Sequence, residues 1–66
     1  MRSIRIDVVG VDAKGCELFR DDDLDSKQEA MRLSIRMARN AEYIAAGLKV
    51  VNLMVDGVIE RDFFAK

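Results

Sequence analysis

Four side chains suited to recognition chemistry follow one another at helical spacing in this sequence. Arg32, Arg36, Arg39 and Tyr43 stand at i, i+4, i+7 and i+11, which would set three guanidiniums and one phenol in a narrow row on one helix face. Guanidinium forks bind oxyanions and a phenol can stack on a base, so the row is a candidate grip for phosphates or for an acidic protein. Glu29, three residues before Arg32, and Glu42, three after Arg39, partly neutralise it. A charged row of this kind is more often a solvated helix face.

The second group is acidic. Asp21, Asp23 and Asp25 have the first three ligand spacings of a calcium loop, with Asp22 between them. The loop fails beyond that point, because Ser26 stands where its glycine is needed and Arg32 where a bidentate Glu is needed. These carboxylates read instead as a solvated approach to a helix N-terminus or as an acidic patch offered to a basic protein groove. No metal is expected. The chain has no histidine and one cysteine, Cys16, which rules out a Cys-His nucleophile, an internal disulfide and a histidine-based zinc site. Cys16 is expected to be a small buried or half-buried side chain. No glycine-rich phosphate loop is present, so neither an enzyme nor a cofactor is expected.

The elements that must position these residues follow from hydrophobic period. Residues 3 to 11 alternate as a strand, with Ile4, Ile6 and Val8 on one side and Arg5, Asp7 and Val9 on the other. Turn residues follow in "DAKG", and "CELFR" returns as a second strand. The period then becomes helical. Ser26 and Glu29 fit a capping box, with Asp25 and Gln28 as a competing register, and the expected helix runs over about residues 25 to 46. Ala30, Leu33, Met37, Ala41, Ile44 and Leu48 would form its core stripe, with Met31, Ile35 and Ala38 on a shoulder and Gly47 as the stop. The rest, "KVVNLMVDGVIERDFF", is two strands around an Asp56-Gly57 hairpin turn.

The expected fold is therefore α+β: β-β-α-β-β in a single domain over residues 1 to 66, a four-stranded, largely antiparallel sheet with one helix across one face. A two-residue loop would pair Val55 with Val58, Leu53 with Glu60 and Val51 with Asp62 on one side of the sheet. On the other it would pair Met54 with Ile59, Asn52 with Arg61 and Val50 with Phe63. Neither side is the wet one. One helix covers one face, which leaves over either Val50, Met54, Ile59 and Phe63 or Val51, Leu53, Val55 and Val58 as a contact surface. The competing reading is a bulge or strong twist near Asn52 or Arg61 that turns some of these residues inward.

Composition limits the rest. With 66 residues, the chain buries only roughly 60% of its unfolded surface, so its core gains from a second copy. A net charge of −1 gives no overall reason to expect nucleic acid or an anionic membrane. No run approaches the ~20 apolar residues of a membrane span, and a reducing, cytoplasmic setting is expected.

From Asp25 onward, "DSKQEAMRLSIRMARN" and "LKVVNLMVDGVIERDFF" resemble a small bacterial family, domain of unknown function 2188. The residues that carry the likeness are Asp25, Ser26, Lys27, Glu29, Ala30, Ala38, Asp56, Gly57, Ile59, Glu60 and Arg61. The resemblance implies a hairpin, helix, hairpin order and brings no activity or binding residues. The expected function is a non-catalytic protein-binding module, self-associating as a homodimer through Val50, Met54, Val55, Val58, Ile59 and Phe63. Asp21, Asp22, Asp23, Arg32, Arg36, Arg39 and Tyr43 would meet a further partner, as in a phage or mobile-element inhibitor of a host complex. The alternative is a small nucleic-acid-binding protein that uses the arginine-rich helix face.

Overall fold

A computed structural model describes residues 4–22 and 24–65; Asp23 of the acidic group lies outside them. Strand β1 (Ile6–Asp12) and strand β2 (Glu17–Asp21) precede helix α1 (Lys27–Ala38) and the short helix α2 (Ala41–Ala45). Strands β3 (Leu48–Val55) and β4 (Val58–Phe64) close the chain. The strands form one antiparallel sheet in the order β2-β1-β3-β4, with α1 across one face, so the expected β-β-α-β-β architecture holds. The order places both hairpins at the sheet's margins and joins them through β1 and β3.

The hairpin turn at Asp56 and Gly57 forms as its residues require. Both have positive φ, 52° and 81°, the conformation that matches the twist of the flanking strands. Asp56 also clasps the chain entering β1: its N–H donates to the Arg5 carbonyl, and its carboxylate accepts from the Arg5 N–H. Beyond the turn the expected register fails. Glu60 is an extra residue in a β-bulge, so Leu53 pairs with Arg61, Asn52 with Asp62, Val51 with Phe63 and Val50 with Phe64. The bulge moves Phe63 from the expected side of Val50, Met54 and Ile59 to the side of Val51, which faces the helix, and carries Asp62 the other way. This is the inward turn weighed near Arg61.

Helix α1 meets the sheet through small residues. Ala30, Ser34 and Ala38 are buried at i, i+4 and i+8, and the Ser34 hydroxyl satisfies itself by donating to the Ala30 carbonyl at 2.7 Å. They pack with Ile6, Val8, Leu48, Val51 and Leu53 as the core. The expected stripe is thus rotated: Leu33 and Met37 flank it half-buried, and Ala41 is exposed. Nor is there one helix over residues 25 to 46. Asn40 interrupts it, its side chain accepting from the N–H groups of Glu42 and Tyr43 as the cap of a new helix. Strand β1 begins at Ile6, after Ile4 and Arg5 of the expected strand, whose first residue, Ser3, lies outside the described residues, and β2 begins at Glu17 rather than at Cys16. Cys16 is exposed, not buried, because it belongs to the turn in which Asp12 accepts from the N–H groups of Lys14 and Cys16.

Gly10 carries one close approach. The Phe19 ring of β2 lies over it and touches Tyr43 of α2, ring centroids 4.8 Å apart, and a Cβ at Gly10 would stand 2.1 Å from Phe19 Cε2. Gly10→Ala should therefore lose about 1–3 kcal/mol in urea denaturation, with less than additive loss when combined with Phe19→Leu. Wild-type stability in Gly10→Ala would show that the ring does not rest there.

Candidate interaction surfaces

Alternation along the strands sorts the side chains into two faces. Ile6, Val8 and Gly10 of β1 stand opposite Val55, Leu53 and Val51 of β3 and face α1. Asp7, Val9 and Val11 stand opposite Met54, Asn52 and Val50 and face away from it. On this second, open face Ile59 lies beside Met54 and Phe64 beside Val50, so apolar residues run across β1, β3 and β4. Ile59 is 52% exposed and Phe64 is 62% exposed, while Val11, Val50 and Met54 are half-buried.

The β1–β2 half of the open face is charged. Asp7 is only 3% exposed, under the side chains of Arg5 and Arg20, which reach its Oδ2 at 3.4 Å and 3.3 Å. Arg20 also binds Glu17 at 3.0 Å, and that carboxylate, first through the hydrogen bond and then through its charge, raises the Arg20 pKa further above its ordinary value. The guanidinium stays charged. The second oxygen of Asp7, Oδ1, is buried without a hydrogen-bond partner. A carboxylate half-satisfied in this way is costly to hold.

The residues expected to form one interface divide between the faces. Val50, Met54 and Ile59 lie on the open face. Val55 is half-buried on the helix side, Val58 opposite it is 67% exposed at the sheet margin, and Phe63 is half-buried under α1. The charged row divides as well. Arg32 and Arg36 are exposed on α1 and Arg39 at its C-cap, but Tyr43 belongs to α2 and is turned against Phe19, so it does not continue the row. Asp21 ends β2 and Asp22 follows it, both exposed. Among the described residues no group of three His, Cys, Asp or Glu side chains could hold a metal ion, and no helix is long and apolar enough to cross a membrane.

A slot of about 270 Å3 opens between α1 and the end of β4, lined by Ile35, Ala38, Arg39, Phe63 and Phe64. Ile35, which is 42% exposed, and Arg39 also line the shallow hollow beside it with Arg32, Arg36 and Asn40. Arg61 lies over the Phe63 ring, 5.8 Å from its centroid. The slot was legible only in part. Met31, Ile35 and Ala38 formed the expected shoulder, but Phe63 reaches it only through the bulge.

Because Asp7 Oδ1 is unsatisfied and Arg5 and Arg20 can both turn to water, Asp7→Val should leave stability unchanged or raise it in thermal and urea denaturation. A loss greater than about 1 kcal/mol would show that the ion cluster supports the fold.

Compared with known proteins, the chain matches no protein-family model, no curated protein and no solved structure, so the likeness drawn from residues 25 to 64 rests on those residues alone.

Proposed function

We propose that this protein is a non-catalytic binding module that self-associates through the open face of its sheet. The observation that carries the reading is the uncovered apolar set Val11, Val50, Met54, Ile59 and Phe64 on the face opposite α1. A small chain with a thin core has most to gain from burying such a set against a second copy.

Pairing edge to edge is less favourable than pairing face to face. Strand β4 is bulged at Glu60 and carries Glu60, Arg61 and Asp62 in succession, the features that blunt an edge against strand addition by another sheet. Strand β2 is only five residues long.

Ile59 and Val58 are neighbours in sequence, both exposed, and on opposite faces, which makes them a matched pair for testing. Light scattering across a dilution series should give the mass of two chains for the wild type and for Val58→Lys. Ile59→Lys should give one folded chain, its dissociation constant raised about tenfold or more by an unpaired charge at the contact. A wild type with the mass of one chain at every concentration, or equal behaviour of the two variants, would refute self-association through this face.

A further inference from the structure

We propose that the slot between α1 and β4 takes an extended acidic segment of a partner protein, which seats one apolar side chain between Ile35 and Phe63 and sets its carboxylates on Arg39, Arg36 and Arg32. This surface lies on the helix side of the sheet, so the proposal does not rest on self-association through the open face.

Size selects the anchor. At about 270 Å3 the slot is at the small end of the ~300–1,000 Å3 of small-molecule sites and has room for a large side chain against Ile35, Ala38 and Phe63. Charge selects what flanks it. Three of the other cations are engaged: Arg5 and Arg20 hold Asp7, and Lys27 holds Glu60 at 2.9 Å. The side chains of Arg32, Arg36 and Arg39 make no hydrogen bond or ion pair among the described residues, although acidic residues outnumber basic ones in the chain. Arg39 lines the slot, and Arg61 lies over the ring of Phe63, another of its lining residues, so two guanidiniums stand near the anchor's seat. Carboxylates beside that anchor are the complement. The outer edge of β4 adjoins the slot and has no neighbouring strand among the described residues, so an extended segment can also pair with its main chain over Phe63 and Phe64, beyond the bulge and the charges that blunt the rest of that edge.

Nucleic acid fits less well. From Arg32 to Arg39 the row spans only ~10 Å of helix, about three phosphates of a single strand, and exposed Glu29 and Glu42 lie beyond its two ends. Tyr43, which would stack on a base, is held against Phe19. Two or three carboxylates match the row where a longer polyphosphate would run onto the glutamates.

The test is selection of a random linear peptide library, displayed on phage, against the intact protein. Enriched peptides should carry one aromatic or large aliphatic residue flanked by Asp or Glu. Anisotropy with one labelled synthetic peptide from that set should show affinity lowered about tenfold or more by Ile35→Asp and by the pair Arg36→Glu and Arg39→Glu, with circular dichroism confirming the fold. Ile35→Ala repeats the measurement if the aspartate variant unfolds. Exchanging the peptide's acidic residues for Lys should restore binding to the charge-reversed pair, and Ile59→Lys on the open face should leave affinity unchanged. The proposal is overturned by no enrichment, by enrichment without acidic residues, or by loss of binding in Ile59→Lys but not in the Ile35 variants. Tighter binding of a labelled single-stranded oligonucleotide with the same arginine dependence would also overturn it.

Discussion

One helix about 10 Å across cannot cover four strands whose outer axes lie about 14 Å apart. Everything distinctive about this molecule's surface follows from that mismatch. Helix α1 lies over β1 and β3, where Ile6, Val8, Val51 and Leu53 meet Ala30, Ser34 and Ala38. Small residues on the helix bring it close to the central strands, so the margin at β4 is left overhanging, with Val58 and Ile35 exposed and a slot above Phe63. The opposite face has no helix at all. The aromatic pair Phe19 and Tyr43 closes the β2 side, and Gly10 makes room for it by having no side chain.

How much of this could be read from residues alone depended on whether a feature was local. The Asp56-Gly57 turn, the cap at Ser26 and the order of elements rest on neighbours in sequence, and they appear where their chemistry puts them. The register beyond the turn rests on a bulge, and no residue type marks Glu60 as the extra one. A single inserted position exchanges the faces of Asp62 and Phe63, since the side-chain period of a strand is two. The helix stripe was misplaced for a different reason. Ser34 does not count as apolar, yet its hydroxyl is consumed by the Ala30 carbonyl and it packs as a small core residue. Asn40 was read as one more helical position, though its side chain is a good cap at any place where the chain can turn. That one interruption removed Tyr43 from the arginine row and put it in contact with Phe19.

The same interruption sharpened the candidate site. With Tyr43 turned away, the arginine row ends at Arg39, which is where Phe63 and Phe64 come up from β4 to meet Ile35 and Ala38. A continuous helix would have carried the row on past the sheet's end. Broken at Asn40, it becomes a short charged rim beside an apolar slot.

The two surfaces also differ in what they ask of a partner. The open face is broad and mixed, with its polar half locked in the cluster of Glu17, Arg20, Asp7 and Arg5, so it offers shape and apolar area but little free charge. The slot is narrow, and its rim holds guanidiniums that make no ion pair among the described residues. Burial of apolar area favours association without choosing among partners, whereas exposed charges around a small pocket penalise every segment of the wrong sign. A chain of 66 residues has little surface to divide between these tasks. The helix and sheet separate them except at Phe64, which lies on the open face and also lines the slot, so two copies joined through their open faces would present two slots, each adjoining the joint at that residue. Paired acidic segments on one partner would then bind with the gain that linked sites supply, which allows each slot to be weak by itself.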